Sequence, residues 1–107
     1  MIYKFKSKAS GDIIMMGPTG DALLRAIGRE PAPKGIIEPA AMPAAMDAIE
    51  QAVLADEAAR AEAEQEAAAR GEKLAPREGV ALRQRLWPML DMLKRAGAAG
   101  EAVVWGV

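Results

Sequence analysis

The stretch of residues 55–73 contains no apolar side chain larger than alanine, and this limits how the chain can fold. Alanine, glutamate, glutamine and arginine dominate the stretch, and all four are strong helix formers. Asp56–Arg60 and Glu66–Arg70 are oppositely charged pairs at i,i+4 spacing, which supports a helix. A helix of this composition has no broad apolar stripe to bury. We therefore predict a solvent-exposed helical arm over 55–73.

The residues before the arm carry the apolar pattern of a packed helix. Pro43 suits a first helical turn, and Met46, Ile49 and Val53 follow at helical spacing. One helix over 43–70 would be about 40 Å long, which exceeds the span expected for the rest of the domain. The pattern predicts a helix that packs at its start and protrudes, frayed, toward its end.

Composition decides how the remainder folds and which chemistry is open to it. The chain has 107 residues, a common size for one domain, and contains neither cysteine nor histidine. Because disulfides and Cys/His metal sites are ruled out, a single domain over 1–107 must fold by apolar burial. Imidazole bases and thiol nucleophiles are missing as well. We predict no catalytic residue, no metal and no cofactor, and we favour a non-enzymatic role.

Both ends of the chain have the pattern of strands. Residues 1–6 alternate, with Tyr3 and Phe5 on one face. A second strand is predicted over 12–16, where the apolar run 13–16 follows a Ser-Gly-Asp turn. These two segments predict an antiparallel hairpin. Residues 101–107 form an apolar strand that needs a neighbour, and the hairpin is the predicted sheet within reach. The alternative is that this last strand pairs with a second copy of the chain.

Two further helices are predicted between the strands. A short one covers 20–27, and a longer one covers 80–96 with Pro88 inside it, which predicts a kink or a fresh start after Trp87. The segment 29–43 contains four prolines and is predicted as a loop. The chain is therefore predicted to be α+β. About three helices pack mainly on one face of an antiparallel sheet of about three strands.

The turn between the hairpin and the first helix superficially resembles a phosphate-binding loop. It follows a strand and opens a helix, where backbone N–H groups attract anions. The phosphate-loop signature requires a lysine after its last glycine, whereas Asp21 stands there in this chain. The simpler interpretation is a strand-to-helix turn capped by Thr19 or Asp21. A small-ligand or phosphate site is kept as an alternative, with a lysine–glutamate pair for acid–base work; its residues are Gly17, Thr19, Gly20, Lys34 and Glu38.

Nucleic-acid binding by the first strand is a further alternative, which the strand pattern disfavours. Lys4, Lys6 and Lys8 form a basic row, and Tyr3 and Phe5 lie nearby in sequence. Single-stranded nucleic acids bind where aromatic stacking and positive charge share one surface. Strand alternation places these aromatics opposite the lysines, so the two groups cannot cooperate.

Protein–protein interaction or self-association is the predicted mode of action. The arm offers Arg60 and Glu64 as contact residues, and the two tryptophans, Trp87 and Trp105, are the large candidate anchors. Both tryptophans suit a core better than a ligand platform, and Trp105 is the better surface candidate because a strand near an edge can expose one face. No apolar run is long enough for a membrane span, and no signal peptide is apparent, so we expect a cytoplasmic protein.

Several stretches outside the arm resemble one known family. The chain is similar to the small bacterial proteins grouped as domain-of-unknown-function family 1840. That resemblance implies a small cytoplasmic bacterial protein and carries over no activity, cofactor or catalytic residue. It rests on residues 1–7, 11–21, 34–39, 42–45, 87–92 and 103–107.

Overall fold

The computed structural model describes residues 2–75 and 81–106, and it confirms the α+β fold. The predicted helix start at Val80, the loop positions 76–79 and the terminal residues 1 and 107 lie outside the described residues. The elements in chain order are β1 (Ile2–Ser7), β2 (Ser10–Met16), α1 (Gly17–Ala26), β3 (Gly35–Ile37), a 3-10 turn (Pro39–Ala41), α2 (Met42–Ala69), α3 (Leu82–Ala99) and β4 (Val103–Trp105).

The sheet has four antiparallel strands in the order β2-β1-β4-β3, so the predicted count of about three is one too low. The predicted hairpin and the pairing of the C-terminal strand with it are confirmed. Since β4 lies between β1 and β3 of its own chain, the alternative pairing of this strand with a second copy is not adopted. Phe5 lies opposite Ile13 on one side and Trp105 on the other.

The missed strand, β3, is short and comes from the proline-rich segment. Three residues do not show an alternating pattern, and the prolines around them predict a loop. What fixes β3 is its neighbour: a Cβ on Gly35 would lie 2.3 Å from Cζ2 of Trp105, so only glycine fits beside the indole ring. Ile37 then pairs with Val103 and joins the core.

The core lies on the face of the sheet that the helices cover. Tyr3 and Phe5 stack there with ring centroids 5.8 Å apart, and the Trp105 ring is tilted against Phe5 at 5.5 Å. Their alternation along β1 is as predicted, since the lysines point to the other face. Met15, Ile37 and Val103 join this core from the other strands. The three helices contribute the rest of the buried cluster, including Leu23, Leu24, Ile49, Val53, Leu86, Met89 and Leu93.

Helix α1 begins at Gly17, three residues earlier than predicted. Pro18 fits the first turn because its fixed φ suits a helix and its missing N–H is not needed there. The predicted cap by Thr19 or Asp21 is wrong, because no side chain caps this helix. Asp21 instead accepts a hydrogen bond from the Tyr3 hydroxyl.

Helix α2 is one continuous helix of 28 residues; it ends at Ala69, before the predicted bound of the arm at residue 73, and Ala67 near its end is buried. At 1.5 Å per residue it is about 42 Å long, and the molecule is correspondingly elongated, with extents of 52 × 26 × 23 Å. Its end is closed and not frayed: Gly71 adopts a φ of 70°, and the Glu72 N–H donates to the Ala67 carbonyl at 2.8 Å. Arg70 pairs with Glu72, where the sequence predicted a pair with Glu66.

Helix α3 runs through Pro88 without interruption, so the predicted fresh start after Trp87 is wrong. Because proline has no backbone N–H, Pro88 cannot donate the helical hydrogen bond to the Gln84 carbonyl. Both residues are exposed, so water can reach that carbonyl. The helix ends at Gly100, whose φ of 67° favours glycine, and not at Gly97. None of the described helices is both long and apolar enough to cross a membrane.

Candidate functional site

The predicted ligand turn at the start of α1 is closely packed. Gly17 and Gly20 are buried, and Thr19 is half-buried. A Cβ on Gly20 would lie 2.0 Å from the Tyr3 ring, so this glycine is needed for helix-to-sheet packing. The backbone around Gly17 and Gly20 therefore packs against the core of the molecule.

The charge at this turn is negative. The Tyr3 hydroxyl donates a hydrogen bond to Asp21 Oδ1 at 2.5 Å. That hydrogen bond, the burial of the ring and the negative carboxylate together raise the pKa of Tyr3 to about 12. A phosphate bound at the N-terminus of α1 would have to approach this carboxylate, and like charges repel.

Lys34 and Glu38, predicted as a possible acid–base pair, are not brought together. They flank β3 on either side, and both side chains are exposed. Four residues of extended chain separate them by about 13 Å. Over the part of the chain that the structure describes, no ion pair links them.

Trp105 is a core residue, contrary to its ranking as the better surface candidate. Only 2% of it is exposed, and its Nε1–H donates a hydrogen bond to the Ala32 carbonyl at 3.0 Å. The Arg29 guanidinium lies over its ring at 5.9 Å. Trp105 thus holds the loop before β3 against the sheet.

Trp87 is the exposed tryptophan, with 62% of its surface open to solvent. It lies in a groove of about 440 Å³ between α2 and α3. Met46 and Leu90 give the groove apolar walls. The charged groups that line it are Glu50, Asp91 and Lys94.

An arginine on α3 fixes the spacing of the two helices beside the groove. Arg83 donates from Nε and Nη2 to the two carboxylate oxygens of Glu57, at 3.1 and 3.0 Å, and lies 3.5 Å from Glu50. The forked geometry of guanidinium matches a carboxylate and orients both groups. Leu54 follows Glu50 by four residues on α2 and is itself exposed, so apolar surface extends one further turn, up to the start of the arm.

The predicted arm contacts, Arg60 and Glu64, interact with each other and with the chain itself. Arg60 Nε lies 3.1 Å from Glu64 Oε1, and its Nη2 donates to the Ala75 carbonyl at 2.8 Å. Arg60 therefore braces the segment that returns along the arm. Glu64 remains largely exposed.

Sequence reasoning identified Trp87 as a candidate but missed the groove around it. Trp87 lies three residues before Leu90, at the margin of the buried stripe of α3, and this position is the one available signal. Met46 comes from a different helix, so its proximity depends on the packing of α2 against α3. Within residues 2–75 and 81–106, no group of three or more acidic or metal-binding side chains could hold a metal ion.

The fold and the groove define a small α+β protein with an exposed tryptophan between two packed helices. The chain belongs to the family described as Domain of unknown function (DUF1840), whose family model matches residues 1–105. The resemblance found in the sequence is thereby confirmed. Comparisons with curated proteins and with solved structures gave no match.

Proposed function

We propose that this protein is a non-enzymatic, cytoplasmic bacterial protein that binds another protein through the groove between α2 and α3. The observation that carries the proposal is the exposure of Trp87 beside Met46 and Leu90. Tryptophan is enriched among the residues that dominate protein–protein binding energies. An isolated domain gains nothing from exposing most of such a large apolar ring.

The exposed part of Trp87 is large enough to anchor a complex. A tryptophan buries about 150–250 Å² when it is covered, and 62% of it is open here. Covering roughly 120 Å² at about 25 cal/mol per Å² is worth about 3 kcal/mol. That magnitude is typical of a single dominant anchor in a protein interface.

The groove favours an amphipathic segment of the bound protein. Its walls are apolar, while Glu50 and Asp91 outnumber Lys94 among the charged groups that line it. A helix that places its apolar face in the groove and polar side chains along its flanks would suit a groove of this kind. Glu50 lies 3.5 Å from Arg83 and Asp91 lies 2.9 Å from Arg95, so both acidic groups of the groove are paired within the chain.

Affinity capture from the native host tests this proposal with a matched pair of variants. Tagged wild type, Trp87→Ala and Gln84→Ala are compared, since Gln84 is an exposed residue of the same helix. We expect a protein that co-purifies with wild type and Gln84→Ala but is lost with Trp87→Ala. With that protein purified, Trp87→Ala should weaken binding by about 30-fold or more in calorimetry. Equal binding by Trp87→Ala and wild type would refute the groove as the contact.

The arm remains a second possible contact, and surface substitutions test it better than a deletion. Removing residues 56–72 would also remove Glu57 and Arg60, which hold α3 and the returning segment. Glu62→Lys with Glu66→Lys changes the charge of exposed positions and leaves those contacts intact. Capture that survives Trp87→Ala but fails with this double variant would move the contact to the arm.

Ligand binding at residues 17–21 and 34–38 and nucleic-acid binding remain predictions outside this proposal. A thermal-shift screen with nucleotides and phosphorylated metabolites tests the first, because a bound ligand stabilises the fold by mass action. Binding of an RNA or DNA oligomer that weakens steeply with salt would support the second.

A further inference from the structure

The face of the sheet that the helices leave uncovered is unusually apolar. The exposed fractions there are 61% for Ile2, 67% for Ile14, 64% for Met16 and 41% for Ile36. In an antiparallel sheet with one solvated face, the outward positions are normally polar. The outer face, defined here by these four residues together with Lys4, Lys6 and Asp12, departs from that rule.

Three of the apolar side chains form a contiguous group. Ile2 on β1 pairs directly with Met16 on β2, and Ile14 lies two residues along β2 on the same face. Ile36 lies on β3 at the far side of the sheet, opposite Val104. Val104 in turn lies opposite Lys6, so the lysines of β1 separate Ile36 and Val104 from the first group.

The size of this surface suits a protein interface. The four side chains together expose roughly 300–500 Å², comparable with the largest apolar patches found on monomers. A standard interface buries about 800 Å² on each side. On the outer face Val104 and the lysine stems of β1 lie on the two central strands, and their apolar parts join the groups on the edge strands.

The charges on the outer face indicate that it fits a second copy of itself. Lys4 Nζ lies 3.6 Å from Asp12 Oδ2, so a base and an acid stand side by side within the face. A two-fold axis would place Lys4 of one copy near Asp12 of the other, and the same contact would occur twice. The negative charge of Asp12 would repel a polyanion, so its position beside Ile13 and Ile14 argues against a polyanion-binding surface.

We propose that two copies of this protein associate through the outer face, with their sheets stacked about 10 Å apart. The groove with Trp87 lies between helices on the other side of the sheet and remains open in both copies. Self-association is thus independent of the proposed binding of another protein. It gives the complex two grooves per dimer.

Sedimentation equilibrium of the full chain over a wide concentration range tests the proposal. We expect wild type to be dimeric and Ile14→Lys to raise the dimer dissociation constant at least about tenfold. Leu54→Lys is the matched control, because Leu54 is an exposed apolar residue of the helical side. Far-UV circular dichroism identifies any variant that fails to fold, and Met16→Lys serves as a second probe of the same face.

Exchanging the charges of Lys4 and Asp12 distinguishes a specific two-fold contact from non-specific association. Lys4→Asp should weaken the dimer, and combining it with Asp12→Lys should restore it. A wild type that stays monomeric at all concentrations would overturn the proposal. An equal effect of Leu54→Lys and Ile14→Lys would overturn it too. So would a Lys4→Asp variant that dimerises as well as wild type, or a double variant that does not restore the dimer.

Discussion

The close approach of α1 to the sheet predicts that one glycine-to-alanine substitution destabilises the protein while another stabilises it. Both Gly20 and Gly97 lie within helices, where alanine is favoured over glycine by about 0.5–1 kcal/mol. A Cβ on Gly20 would lie 2.0 Å from the buried Tyr3 ring, whereas a Cβ on Gly97 would lie 3.5 Å from Met42 Sδ, an ordinary contact. The two substitutions therefore differ in packing and not in helix propensity.

The magnitude for Gly20→Ala follows from the packing around Tyr3. Overpacking a filled core costs about 1–3 kcal/mol, and a displaced ring would strain the hydrogen bond to Asp21, worth about 1 kcal/mol more. After subtracting the helix-propensity gain, we expect a net loss of about 2 kcal/mol. For a domain of this size that lowers the melting temperature by about 8–16 °C. Gly97→Ala should raise it by about 2–8 °C.

Urea unfolding of wild type and the two variants, followed by circular dichroism and tryptophan fluorescence, measures both free energies. The two probes must give coincident transitions for a two-state analysis to hold. If Gly20→Ala were as stable as wild type, the contact between α1 and the Tyr3 ring would not be as tight as described. If both variants shifted by the same amount in the same direction, helix propensity alone would govern them.

Two further predictions concern the aromatic residues. The pKa of Tyr3 is raised to about 12 in the folded state and is about 10 in an unfolded chain, so the unfolded form loses this proton first. The free energy of unfolding should therefore fall as pH rises from about 10 toward 12. Tyr3→Phe should remove that part of the pH dependence in urea titrations. The variant Trp105→Phe keeps only the exposed Trp87, and Trp87→Phe keeps only the buried Trp105. Acrylamide should therefore quench the fluorescence of Trp105→Phe much more than that of Trp87→Phe. Equal quenching would contradict the assignment of Trp87 as the exposed tryptophan.

The strands and helices that carry a long periodic pattern were predictable from the sequence. Alternation of Tyr3 and Phe5 with lysines identified β1 and its buried face, and the apolar spacing before residue 55 identified the packed half of α2. These patterns are informative because each element buries one face, so the spacing of its apolar residues indicates which face packs against the core. The family resemblance also rested on local stretches of residues.

The elements that escaped prediction depend on contacts between distant residues. β3 exists because Gly35 accepts the Trp105 ring, 70 positions away in the sequence, and no local pattern records that contact. The groove has the same origin, since Met46 and Trp87 meet only when α2 packs on α3. The exposure of Trp87 and the burial of Trp105 were ranked in the wrong order because strand β4 is interior and not at an edge.

The position of β4 inside the sheet has a consequence for synthesis of the chain on the ribosome. β1 and β3 are made early, yet the strand that separates them is not available until residues 103–105 have been synthesised. Until then β1 can pair only with β2, and β3 has no neighbour, so two strand edges stay open to other chains. The sheet can therefore close only after β4 has been synthesised, and nascent chains made side by side are most exposed to mispairing just before β4 inserts.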